Sequence, residues 1–177
     1  MNENKLVKKA IKGDGKAFEK LLELHSDQLY RTAFLYVGNR DDALDVVQET
    51  AYKSFQAVGQ LKNTEYFLTW VTRILIHCSY DLLRKKNREI PMNRMKEKAE
   101  EFFHQEESLD LGAAINLLNE QYRTVILLFY YRDLSIHDIA EIMSIPENTV
   151  KTYLHRAKRN LRKSLEGAGY LGQENLS

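Results

Sequence analysis

The stretch SIHDIAEIMSIPENTVKTYLHRAKRNLRKSL, residues 135–165, decides the fold. Ser135 is a hydroxyl residue of the kind that caps a helix, and the apolar residues behind it recur at helical spacing as far as Met143. Ser144 to Pro146 read as a turn, and a second helix opens at Glu147 or Asn148 and runs to about Leu165. Ile139, Ala140, Met143, Ile145, Val150 and Leu154 supply the apolar contacts of a helix-turn-helix, with Ala140 as the small residue where the helices cross. Ser144 stands where glycine is common in such turns. The outer face of the second helix carries Asn148, Thr149, Lys151, Thr152, His155, Arg156, Lys158 and Arg159, which mix groups suited to base edges with groups suited to phosphates. No acid interrupts the run from Lys151 to Lys163. A basic solvated helix face is the plain alternative; turn pattern and unbroken charge together favour duplex DNA.

Working upstream, LDLGAAINLLNEQYRTVILLFYYRDLS, residues 109–135, places Leu117, Leu118, Val125, Leu128 and Phe129 on two short helices, the second capped by Asn119. Before it, residues 87–108 combine Pro91 with dense charge and few apolar anchors, as a linker does. Extended at about 3.3 Å per residue this segment reaches about 70 Å, so the modules it joins can touch DNA sites a turn or two apart. Nearer the start, Asp14 caps a helix through AFEKLLELHSDQLYRTAFLYV that stops at Gly38, and a second runs from Asp41 to about Val58. Asn63 caps a third, carrying Phe67, Trp70, Val71, Ile74, Leu75, Leu82 and Leu83 and ending near Lys86. The expectation is an all-α chain of two small helical domains joined by a flexible charged linker: residues 1–86, linker 87–108, a helix-turn-helix domain over 109–166, and a disordered tail over 167–177.

Composition agrees. The chain of 177 residues has two prolines and eight glycines, too few for a turn-dense β fold. Nothing near 18 consecutive apolar residues occurs, and the N-terminus lacks a signal-peptide core, which predicts a cytoplasmic protein without stable membrane insertion. Cys78 is the only cysteine, and the histidines have no zinc-like spacing, so neither a disulfide, a metal nor another cofactor is expected. The net charge of +1 hides segregation: seven basic residues lie between Arg84 and Lys98, while Asp41, Asp42, Asp45 and Glu49 cluster on the second helix.

The third helix, RILIHCSYDLLRKKNR after NTEYFLTW, interleaves aromatics with cations, a surface suited to single-stranded DNA, whose bases stack on rings while its backbone meets Lys and Arg. Taken alone, Trp70 reads more readily as core, and Lys85 and Lys86 as helix-end charges favoured by the macrodipole.

Three segments, residues 17–55, 67–86 and 118–165, together resemble an extracytoplasmic function sigma factor of the sigma-70 class, over about residues 15 to 165 and in the family's order. The resemblance implies a non-enzymatic RNA polymerase subunit that directs promoter-specific initiation by recruiting core polymerase and melting the minus-ten element. It implies that Asp41, Asp42, Asp45, Val46, Gln48 and Glu49 grip core polymerase, and an acidic helix face suits a basic partner. The loop from Gly59 to Tyr66 corresponds to one that captures a flipped minus-ten base, at a cost of a few kcal/mol in lost stacking. Lys62, Asn63, Trp70, Arg73, His77, Arg84 and Lys85 then contact the melted strand. His77 stands where many family members carry asparagine, which leaves the recognised base open. Thr149, Lys151, Thr152, His155 and Arg156 read the minus-thirty-five duplex, with Lys158 and Arg159 on phosphates. An anti-sigma factor is the further partner implied.

Two other readings compete. A helix-turn-helix repressor or activator would bind duplex DNA without polymerase, but leaves the acidic second helix and the aromatic-basic third one unused. An enzyme would take Asp41, Asp45 and Glu49 as metal carboxylates; no histidine follows at ligand spacing, and no phosphate-cradling loop or nucleophile motif accompanies them.

Overall fold

The computed structural model describes residues 2–89 and 111–167. All regular structure among them is helical. α1 (Glu3–Ile11) is capped by Asn2, whose side chain accepts from the Asn4 amide at 3.1 Å, and it buries Leu6, Val7 and Ala10. The sequence reading has no helix here, because an apolar stripe this short stands out only once it is packed. α2 (Gly15–Val37) starts as expected at Asp14, which accepts from the Ala17 amide at 3.1 Å, and stops at Gly38 in the left-handed region, φ 83°. α3 (Arg40–Ala57) is capped by Asn39, which accepts from the Asp42 amide at 3.0 Å.

Two 3₁₀ turns, Val58–Gln60 and Thr64–Tyr66, lead into α4 (Phe67–Glu89). Asn63 caps the second turn, accepting from the Glu65 amide at 3.0 Å, so the long helix itself begins at Phe67. It also runs past Lys86 into the expected linker; positions 90–108 of that linker and 168–177 of the expected tail lie outside the described residues. The core of this module packs Leu21, Val46, Phe67, Val71 and Leu75, all essentially sealed from water, each contributing about 1.5–3 kcal/mol by burial.

The second module comprises α5 (Leu111–Leu117), α6 (Glu120–Ile126), a wide π-type turn over Leu127–Tyr131, α7 (Ile136–Met143) and α8 (Glu147–Gly167). The sequence-predicted caps are in place: Asn119 accepts from the Tyr122 amide at 2.9 Å and Ser135 from the Asp138 amide at 3.0 Å. Ser144, between α7 and α8, adopts φ 54°, the left-handed conformation that explains why glycine suits this position. Ile139, Ala140, Val150 and Leu154 are buried where the two helices cross.

The modules are packed together, and their apolar cores form one continuous cluster. Tyr36 of α2 and Tyr80 of α4 converge on the Thr124 hydroxyl of α6, Tyr80 at 2.5 Å. Arg123 donates from Nη1 to the Tyr36 carbonyl at 2.7 Å, and its guanidinium lies 5.7 Å from the centre of the Tyr36 ring. Arg132 reaches Thr72 at 2.8 Å and Thr32 at 3.4 Å, with both threonines 0% exposed.

Candidate nucleic-acid interface

α8 carries the residues expected to read the duplex. Val150, Leu154 and Ala157 face inward and Tyr153 stacks edge-on against Tyr122 with centroids 5.6 Å apart, which turns the opposite side of the helix to solvent. Lys151, Thr152, His155, Arg156, Lys158 and Arg159 are all exposed there, and Thr149 is half-buried at the helix start. His155, Lys158 and Arg159 line a shallow groove of about 400 Å³ together with Arg162. Arg162 is absent from the sequence-predicted set, although its spacing of four from Lys158 and seven from His155 places it on that face. The Thr152 hydroxyl donates to the Asn148 carbonyl at 2.9 Å, leaving its lone pairs outward.

The residues expected to contact the melted strand divide into three groups. Lys62 and Asn63 are exposed on the loop between the 3₁₀ turns, beside a half-exposed Tyr66. Trp70 is partly buried with its ring 6.0 Å from that of Phe67, so its indole braces the loop's far end as much as it faces solvent. Arg73, His77 and Arg84 lie on the face of α4 turned to the second module. Arg73 donates to the Ser144 hydroxyl at 3.2 Å, Arg84 sits 3.6 Å from Glu120, and His77 and Arg84 line a cleft of about 200 Å³ with Glu120, Met143 and Tyr153. Partial burial, with Arg73 nearby, holds the His77 imidazole below the usual histidine range and so neutral near pH 7. Lys85 is not with them; it lines a groove of about 640 Å³ on the other side of α4, shared with Asp45, Gln48 and Glu49 of α3.

That second groove is the acidic surface. Asp41, Asp45, Gln48 and Glu49 are exposed along α3, whereas Val46 points into the core and Asp42 is 6% exposed. Both Asp42 oxygens lie 2.6 Å from Lys86 Nζ, and Asn39 Nδ2 donates to it at 2.6 Å. Burial raises the Asp42 pKa, but the Asn39 hydrogen bond and Lys86 outweigh it and hold the carboxyl below its ordinary value. Asp42 thus ties α3 to the end of α4 rather than facing outward. Among the described residues, no three His, Cys, Asp or Glu side chains converge as metal ligands would, and no helix is long and apolar enough to cross a membrane.

Sequence reasoning missed the joint between the modules. Arg123 and Arg132 both come from the second module, and neither forms an ion pair with a carboxylate among the described residues. Burial lowers both pKa values, Arg132 to about 10, which leaves Arg132 a cation at neutral pH. Their Nε atoms are the two buried side-chain polar atoms without a partner among the described residues.

Residues 21–89 match the Sigma-70 region 2 family and residues 108–161 match Sigma-70, region 4. The chain is 37% identical over 147 residues to the RNA polymerase sigma factor SigV of Bacillus subtilis, covering 80% of this chain and 86% of that protein. It is 30% identical to the ECF RNA polymerase sigma factor SigW of the same organism, over 91% and 95% of the two chains. Among solved structures, the sigma factor RpoE in complex with the anti-sigma factor NepR from Bartonella quintana superposes with a TM-score of 0.68 at 26% identity, covering 85% of this chain and 98% of that one. With both family regions in order on an all-helical frame, the chain belongs to the extracytoplasmic function group of the sigma-70 family of sigma factors.

Proposed function

We propose that this protein directs promoter-specific transcription initiation: α3 docks on core RNA polymerase, the loop after α3 and the inner face of α4 hold the melted minus-ten strand, and α8 reads the minus-thirty-five duplex. The observation that supports this reading is one chain with two cationic surfaces and one acidic surface. α8 is cationic and outward, α4 offers arginines and a neutral imidazole after an exposed loop, and Asp41, Asp45, Gln48 and Glu49 form a separate exposed face. The chemistry of RNA synthesis belongs to the core enzyme, and this subunit contributes recruitment and strand capture.

The packing of α4 against the second module adds a step. Arg73, His77 and Arg84 face α7 and α6, so the strand gains access to them when the modules part, and the packed form is the unengaged one. Like the Bartonella relative, solved with an anti-sigma factor, this chain is assigned an inhibitory protein partner.

The test is reconstitution of the purified chain with bacterial core polymerase on a promoter library. Transcripts that start downstream of one shared two-part motif are the expected result. Specific duplex binding without core association would replace this reading with a repressor or activator.

A further inference from the structure

α1 carries a feature that none of these roles uses. Lys5, Lys8, Lys9 and Lys12 recur at i, i+3, i+4 and i+7, which puts all four on one side of the helix. All four are exposed, opposite the buried Leu6, Val7 and Ala10. Among the described residues no carboxylate lies within ion-pair distance of any of them, and the acid on α1, Glu3, is engaged 3.0 Å from His25. The match to the Sigma-70 region 2 family begins at residue 21, downstream of this helix.

The stripe is costly within the helix, because like charges at i, i+3 and i+4 repel. The macrodipole favours cations in the last turn, which accounts for Lys8, Lys9 and Lys12, but not for Lys5 in the first half of the helix. Its position supplies a reason. α1 packs against both 3₁₀ turns that bracket the base-capturing loop, and the Ile11 carbonyl lies 3.7 Å from where a Cβ on Gly59 would sit. The helix that carries the cationic stripe therefore lies beside the loop, with the lysines on its solvent side.

We infer that the α1 lysine stripe binds the phosphates of the melted promoter strand adjoining the captured base. This rests on the sigma reading above and extends the strand's path beyond the loop. Lys5 to Lys12 span about 10 Å at 1.5 Å per residue, enough to face about two phosphates of an unstacked strand, whose phosphates lie farther apart than the 3.4 Å of a strand in a duplex. The contact is electrostatic and sequence-independent, whereas recognition stays with the loop and α4.

The experiment measures the affinity of the reconstituted holoenzyme for a pre-melted promoter fragment across a range of salt concentrations. It compares wild type with a full-length variant carrying Lys5→Gln, Lys8→Gln, Lys9→Gln and Lys12→Gln, and with the fourfold Lys→Arg counterpart. Each single-strand phosphate contact contributes about 0.7 to the slope of log affinity against log salt, so the glutamine variant is expected to lose about 1.4 from that slope, and the arginine variant to keep it. On a fragment whose melted strand ends at the captured base, wild type and glutamine variant are expected to coincide. Equal slopes on the full fragment, with normal transcription, would overturn the stripe's role and leave the sigma reading intact, as would an equal loss on the shortened fragment. Failure of the wild-type holoenzyme to bind the promoter would overturn both.

Discussion

Ser144 holds φ 54° at the corner of the helix-turn-helix, a conformation that costs a residue with a Cβ about 1–2 kcal/mol. Ser144→Gly removes that strain, gives back part of the gain through extra freedom in the unfolded chain, and loses an exposed contact to Arg73. The expected net effect is a stabilisation of about 0.5 kcal/mol in chemical denaturation; a loss of stability would mean the Arg73 contact is worth more than the strain. Asp42 makes the opposite kind of contribution. Its carboxyl titrates below the ordinary range because Asn39 and Lys86 outweigh its burial, so its stabilisation is complete above the unfolded pKa and disappears as pH falls through the lowered folded value. Asp42→Asn should cost about 1–2 kcal/mol near pH 7, discounted for the half-exposed Lys86, and nothing once both proteins are well below pH 4. Denaturation curves of the two proteins at several pH values test this, and a constant gap down to the lowest pH would assign the loss to packing instead.

At the level of elements, local signals were legible and distant ones were not. Asp14, Asn119 and Ser135 declare their helices because a cap involves residues two or three apart, and the α7–turn–α8 pattern was readable for the same reason. α1 was missed because nine residues with three lysines give little periodicity without the α2 surface beneath them. The inward turns of Asp42 and of the Arg73–His77–Arg84 face were also illegible, since each is set by a partner from another helix, Lys86 in one case and the second module in the other. On α8 every expected residue but the half-buried Thr149 is exposed, and Arg162, which shares their face, was not among those expected. Arg156→Ala on that helix should weaken promoter binding by about 1–3 kcal/mol if the guanidinium pairs with a base edge. Footprints and titrations on promoters altered at single positions are the check, and an affinity loss that is the same on every sequence would reassign Arg156 to a phosphate.

The whole molecule turns on the joint between its modules. Arg132 links positions 60 and 100 residues apart, to Thr72 and Thr32, which is why no sequence pattern announces it. A buried cation held by hydroxyls alone keeps a desolvation penalty that a carboxylate would have offset, so the joint is held chiefly by its apolar contacts. Arg132→Met, which keeps length and discards the charge, should close the modules more firmly by about 1 kcal/mol. The readouts are a shorter mean distance between probes on α4 and α7 and about fivefold weaker promoter binding; a looser joint would show that the threonine bonds outweigh the penalty. Heritable change also meets this site. Thr72 is close in size to aspartate and already faces the guanidinium, so one acquired acid there would pair the buried cation and tighten the joint without touching any exposed surface. Selection on such a lineage would therefore act on what these two threonines lack as much as on what the reading helices display.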